Sequence, residues 1–180
     1  MKQKLHLPPG IILQQKTQRT NFTHQPCTMF SKATEYALRA VIYIAQKGTA
    51  EHKISVDEIS AAIGSPRSFT AKILQILRKN NRIIHSVTGP QGGFYMTDQH
   101  RRLPVRDILI AMNEEHILSK CVLGLHTCNE LKPCPMHNQY KKIKEQLIRM
   151  FDTRTIGQLA AEMDAGTTFI KYVGKKKERM

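Results

Sequence analysis

The stretch "ISVDEISAAIGSPRSFTAKILQILRKNNRI", residues 54–83, encodes two helices and the turn between them. Ser55 and Glu58 form a capping box, in which a hydroxyl and a carboxylate each satisfy a backbone N–H at a helix start. Ile59 and Ile63 then fall on one face of that helix. Gly64 stops it, because glycine enters the left-handed conformation at no steric cost. Ser65 is placed to cap a second helix, and Pro66 suits its first turn, where an N–H has no helical partner to lose. Phe69, Ile73, Ile76 and Leu77 recur at helical spacing and are predicted to point inward. Arg67, Ser68, Thr70, Ala71, Lys72, Gln75 and Arg78 are left for the outer face. Two short helices around a tight turn, the second with a small, polar and basic exterior, have the layout of a helix-turn-helix.

The flanks extend this pattern. Downstream, "IIHSV" and "GFYMT" are β-prone and bracket the turn chemistry of "TGPQGG", so a hairpin follows the second helix as a wing. "LPVRDILIAMN" predicts a further helix with Val105, Ile108, Leu109 and Met112 on one face. Upstream, "ATEYALRAVIYIAQK" carries Ala33, Tyr36, Ala37, Ala40, Val41 and Ile44 on one face and Leu38, Ile42 and Ala45 on a second. That helix has apolar surface for two neighbours, one of which could come from another subunit. Near the C-terminus, Tyr140, Ile143, Leu147 and Met150 form a stripe on an amphipathic helix suited to packing on its twin or on its own domain. Asp152 and Thr153 break that helix before a final short one through Leu159 and Met163. The fold class expected is therefore mainly α with a small β-hairpin wing: a winged helix-turn-helix over residues 29–113, a cysteine-rich loop over 114–137, dimerisation helices over 138–165 and a basic tail over 166–180. Residues 1–28, rich in Gln, Thr and Pro and holding the isolated Cys27, are expected to be a disordered extension, with Met29 a possible start of the working protein.

Charge narrows the partner. Lys and Arg number 28 against 14 Asp and Glu, a net +14. The first 28 residues hold four basic residues and no acidic ones, so +10 remains on the rest. Such a balance favours a polyanion, and no apolar run is long enough to span a membrane. A recognition helix enters the roughly 12 Å wide major groove end-first and needs small, hydrogen-bonding side chains there. Arg67, Ser68, Thr70, Ala71, Lys72 and Gln75 meet that need. Arg67, Lys72 and Gln75 are the candidates for base edges or adjacent phosphates, and Lys79 and Arg82 for the DNA backbone. On the wing the candidates are Ser86, Thr88, Gly89, Gln91 and Gly92. Duplex DNA is favoured over RNA, whose narrow major groove side chains cannot read. An enzyme is not expected: "GPQGG" lies between strands, no nucleophile–base order stands out, and three cysteines in one loop are unlike a thiol enzyme's single privileged cysteine.

"CVLGLHTCNELKPCPMH", residues 121–137, spaces its donors as Cys121-x6-Cys128-x5-Cys134-x2-His137. The chain is too long and too aliphatic to need a disulfide framework, and no secretory leader is evident, so a reducing, cytoplasmic location is expected. Three thiolates plus one more ligand can hold a [2Fe–2S] or [4Fe–4S] cluster. Zinc can use the same residues but favours a tight C-x₂₋₄-C knuckle, which is missing. Disulfide chemistry between two of the thiols, and inert cysteines, rank below the cluster.

"MFSKATEYALRAVIYIA", "GSPRSFTAKILQILRKNN", "SVTGPQGGF" and the three later cysteines, in this order, resemble the bacterial winged-helix transcription regulators of the IscR/NsrR/CymR family, in its cysteine-bearing, IscR-like branch. The resemblance runs from Met29 to about Met163. It implies a homodimer on a palindromic DNA operator, acting as a repressor, and an iron–sulfur cluster, [2Fe–2S] ahead of [4Fe–4S], that changes DNA affinity. His137 has the spacing of an IscR-like fourth ligand. Glu35 stands where some relatives offer a carboxylate from the partner subunit. The sequence departs from the family at Thr88, where many relatives carry a minor-groove Arg, with Gln91 or His85 placed to compensate.

Overall fold

The computed structural model describes residues 29–79, 82–126, 128–166 and 168–170. Cys27 with the rest of 1–28, and the end of the basic tail, lie outside them. Helix α1 (Lys32–Lys47) starts at Ser31, whose hydroxyl accepts from the Thr34 N–H. Helices α2 (Val56–Ile63) and α3 (Arg67–Leu77) form the helix-turn-helix. Strands β1 (His85–Val87) and β2 (Gly93–Tyr95) pair antiparallel in the register His85 to Tyr95, Ser86 to Phe94 and Val87 to Gly93. Then come α4 (Asp98–Arg101), α5 (Arg106–Ala111), a 3-10 turn (Glu115–Leu118), the cysteine segment, α6 (His137–Thr153) and α7 (Ile156–Asp164). The architecture is the expected one, mostly helical with a two-strand wing.

One core holds these elements. Ala37, Ala40, Val41 and Ile44 of α1 are fully buried, together with Ile59 and Ile63 of α2, Leu74 and Leu77 of α3, and Ile108 and Leu109 of α5. Ile54, at the head of α2, exchanges two backbone hydrogen bonds with Phe94, each of 2.9 Å, and so carries the wing on the same core. The wing turn is closed by the Gly92 N–H donating to the Gly89 carbonyl at 2.9 Å. A Cβ on Gly92 would lie 2.3 Å from the Val87 carbonyl oxygen, so only glycine fits there.

Several expectations change at close range. Gly64 does end α2 in the left-handed region, at φ 67°. Only half of the Ser55/Glu58 box forms: Ser55 Oγ accepts from the Glu58 N–H, while the Glu58 carboxylate takes the Tyr43 hydroxyl instead. Ser65 does not cap α3. Its Oγ is buried with no hydrogen-bond partner among the described residues, and Pro66 occupies the cap. On α3 the buried stripe is Thr70, Ile73, Leu74 and Leu77, at i, i+3, i+4 and i+7. Thr70 therefore faces inward, at 0% exposure, its hydroxyl donating to the Pro66 carbonyl, while Ile76 is 44% exposed. Polarity alone sends Thr70 outward; its methyl and an intrahelical hydrogen bond let it sit in the core.

The short α4, absent from the sequence-based expectation, is held by Arg101, whose guanidinium donates to the Ala45 and Gly48 carbonyls at 3.0 and 3.1 Å. α7, grouped by sequence with the dimerisation helices, packs on α1, with Ile156 and Ala160 in the shared core. Thr155 and Gln158 give it a complete capping box. α6 is different: along its length only His137 and Phe151 are buried.

The inward face of α3 makes a direct prediction. Leu74→Ala should cost about 2–5 kcal/mol of unfolding free energy, as a fully buried leucine does, whereas Ile76→Ala should cost no more than about 1 kcal/mol. Urea unfolding of the two variants decides between the stripes, and equal losses would refute a buried Leu74 beside an exposed Ile76.

Candidate nucleic-acid interface and cysteine centre

The outer face of α3 is built by elimination. With Thr70, Ile73, Leu74 and Leu77 committed to the core, Arg67, Ser68, Lys72 and Gln75 are exposed and Ala71 is half-buried. Lys72, Gln75, Lys79 and Arg82 line one groove, of about 660 Å³, whose floor includes Ile76 and Ile110. Among the described residues no carboxylate lies within ion-pair distance of Lys72, Lys79 or Arg82, so these cations face solvent uncompensated. Arg67 differs: its Nε sits 2.5 Å from Asp57 Oδ1 at the start of α2. Both side chains are about two-thirds exposed, so a phosphate or base edge can displace Asp57 at little cost.

The wing lies beside α3. Arg78 Nη1 donates to Ser86 Oγ at 3.3 Å, tying the end of α3 to β1, so Ser86 is engaged by the protein itself. Thr88, Gly89 and Gln91 line the wing tip together with Lys53. Sequence reasoning does not find Lys53; the Ile54 to Phe94 bridge brings it there, and nothing local in the chain signals that. His85, the other residue placed to compensate for the missing wing arginine, is engaged by neighbouring rings. Its ring stacks on Tyr95 at 5.2 Å and meets His100 edge-on at 4.5 Å. Burial, and then the neighbouring His100, lower its pKa and hold it neutral. Gln91 is exposed at the tip.

The cysteine donors come together as two pairs. Cys121 Sγ lies 3.9 Å from Cys134 Sγ, and Cys128 Sγ lies 3.4 Å from His137 Nδ1. His137 is both the last residue of the motif and the first of α6, its N–H donating to the Cys134 carbonyl at 2.9 Å, so helix start and donor position are fixed together. The Leu123 N–H pulls the Cys121 thiol below its ordinary pKa against the opposing effect of burial; the Leu125 N–H, the Cys134 thiol and Lys144 act in the same direction. A lowered thiol is the ionisation that both metal ligation and redox chemistry need. Glu35 sits on α1 between Lys32, at 2.7 Å, and Arg39, at 3.7 Å.

Three thiols and an imidazole are donor types that a metal group uses. At metal–sulfur and metal–nitrogen bonds of about 2.3 and 2.0 Å, two thiolates on one tetrahedral ion sit roughly 3.8 Å apart, and a thiolate and an imidazole roughly 3.5 Å apart. Each observed pair has the separation of two ligands sharing one ion. Among the described residues no three His, Cys, Asp or Glu side chains converge on a single ion.

The comparisons with known proteins agree with the fold. A family model described as Rrf2, an iron-dependent transcriptional regulator, matches residues 30–162. A protein of Aquifex aeolicus (strain VF5), whose name places it among HTH-type transcriptional regulators, is 31% identical over 133 residues, covering 73% of this chain and 90% of that protein. The HTH-type transcriptional regulator IscR of Escherichia coli (strain K12 / DH10B) is 25% identical over 124 residues, 69% of this chain and 75% of that protein. Two solved structures share the fold. CymR (YrzC), the global cysteine regulator of B. subtilis, has a TM-score of 0.61 at 18% identity, over 74% of this chain and 96% of its own. IscR of T. potens has a TM-score of 0.57 at 19% identity, over 77% and 90%. No helix among the described residues is long and apolar enough to cross a membrane. With the family model spanning most of the winged-helix chain, this protein belongs to the Rrf2 family of helix-turn-helix transcriptional regulators.

Proposed function

We propose that the chain is a homodimeric repressor binding a palindromic DNA operator, with affinity set by a [2Fe–2S] cluster on Cys121, Cys128, Cys134 and His137. The observation that carries this reading is the division of those four donors into two pairs, each at the spacing of two ligands on one ion. A bound cluster supplies an oxidisable centre whose one imidazole ligand leaves it open to attack by oxidants or nitric oxide. The chain's own residues do the rest. The Leu123 and Leu125 N–H groups and Lys144 favour the ionised form of Cys121. Lys72, Lys79 and Arg82 bind phosphates, and Arg67 and Gln75 read base edges. The fork of a guanidinium and the amide of glutamine match guanine and adenine edges respectively.

Dimerisation rests on α6. Ile143 is 60% exposed and Met150 50%, while Tyr140 is half-buried and Leu147 packs against the chain's own core, so the outer part of the apolar stripe is left uncovered. Met150 continues into an apolar hollow of about 500 Å³ with Leu38, Ile42, Phe151 and Leu159. A second copy covers this surface and sets the two recognition helices about 34 Å apart, one DNA turn, for two half-sites. A second reading is favoured by the same 3.9 Å contact: after a small movement Cys121 and Cys134 are near enough to close a disulfide, giving up two electrons and two protons to an oxidant such as a peroxide, which makes a thiol switch without metal.

Duplexes selected from a random library supply the operator. On them Lys79→Ala should weaken binding of all sequences alike and lower the salt slope by about 1, while Gln75→Ala should relax specificity at one position by about 1–3 kcal/mol. Failure to enrich any duplex would contradict DNA recognition. Ile143→Glu should shift sedimentation from dimer to monomer, and an unchanged sedimentation coefficient would remove α6 from the interface. Cys128→Ala separates the two readings of the cysteines. Under the cluster reading it abolishes the dependence of operator affinity on iron loading. Under the thiol reading it leaves oxidant response intact and Cys121→Ala abolishes it.

A further inference from the structure

One guanidinium joins both flanks of the cysteine segment to the DNA-binding half of the chain. Arg106, the first residue of α5, donates from Nη2 to Glu115 Oε1 at 2.7 Å and from Nη1 to both Asp152 oxygens at 3.0 and 3.2 Å. Glu115 heads the 3-10 turn that leads into Cys121, and Asp152 stands at the end of α6, the helix that His137 begins. α5 packs in turn against α3, with Ile108 and Leu109 fully buried between the layers. The segment is pinned at two further points: Glu114 accepts from the Ser31 N–H at 3.1 Å, and Lys144 donates to the Ser119 carbonyl at 3.1 Å.

These carboxylates are 42% and 41% exposed, so the ion pairs add little to net stability. Their value is directional. A planar guanidinium holds two carboxylates in a fixed relation that a lysine ammonium cannot reproduce.

We propose that Arg106 is the residue that couples the state of the cysteine centre to the recognition helix, by holding Glu115 and Asp152 on α5. The inference rests on the reading of the cysteines as a cluster site. A change at Cys121 moves the 3-10 turn relative to the end of α6. Because Arg106 grips both, that movement is passed to α5 and from there to α3. Without the fork, the loop changes state and α3 does not follow.

The test measures operator affinity of the full chain, iron-loaded and metal-free, for the wild type and for Arg106→Gln, Arg106→Lys, Glu115→Gln and Asp152→Asn. The wild-type affinities of the two forms should differ by about tenfold or more, within the ordinary range of allosteric coupling. In Arg106→Gln and Glu115→Gln the ratio should shrink to about twofold, with iron per chain and the visible spectrum unchanged. Arg106→Lys should not restore the wild-type ratio, and Arg106→Gln with Glu115→Gln should be no worse than either alone. An Arg106→Gln protein that loads iron and keeps the full ratio overturns the coupling role while leaving the cluster reading standing. A wild type whose two forms bind equally overturns both. If Arg106→Gln does not fold, Glu115→Gln and Asp152→Asn each remove one arm at a partly exposed carboxylate, and retention of the full ratio in both overturns the proposal.

Discussion

The packing of α1 governs the rest of the structure. Ala37 and Ala40, both at 0% exposure, are small enough to let neighbouring helices approach its backbone closely, and Val41 and Ile44 fill the space between them. α2, α3 and α7 all pack on this helix. The same helix orients the turn of the helix-turn-helix. Arg39 donates from Nη1 to the Ile63 carbonyl at the end of α2 and lies over the Tyr36 ring, which in turn meets Phe69 of α3 edge-on at 5.8 Å. The pose of the outer face of α3 is thus fixed from behind by α1.

That arrangement divides labour between rigid and responsive parts. The helix-turn-helix and its wing share one aliphatic core. The cysteine segment contributes few buried side chains, Leu118 and Cys121 among them, and is held mainly by polar contacts such as Lys141 to Glu130 and Lys144 to the Ser119 carbonyl. Segments with few buried apolar contacts open locally at low cost. The net charge of +14 acts over longer range, drawing a polyanion toward the surface before any specific contact forms.

Much of this is legible in the chain because the signals are local. Gly64 as a stop, the turn chemistry of residues 88–93 and the helical spacing of Val41 and Ile44 each depend on neighbours a few positions away. What escapes depends on partners far along the chain. Thr70 and Ile76 exchange their expected roles because the tertiary contact of α3 runs along the stripe of 70, 73, 74 and 77, which a rule that sends polar residues outward cannot find. α4 is hidden because Arg101 is satisfied by carbonyls of α1 and its C-cap and not by any nearby pattern. The spacing of the cysteines reveals the donor set but not its pairing, since which sulfur faces which is decided by how the loop returns to the start of α6. Arg106 carries no sequence signal at all; its two carboxylates lie on separate elements.

What the two donor pairs hold can be measured on the protein alone. Purified without oxygen, the chain should show broad visible absorption, with iron and acid-labile sulfide in equal amounts near two per chain and negligible zinc. A colourless protein with one zinc per chain, or one that takes up neither iron nor sulfide on reconstitution, would contradict the cluster and leave a winged-helix regulator governed by some other input.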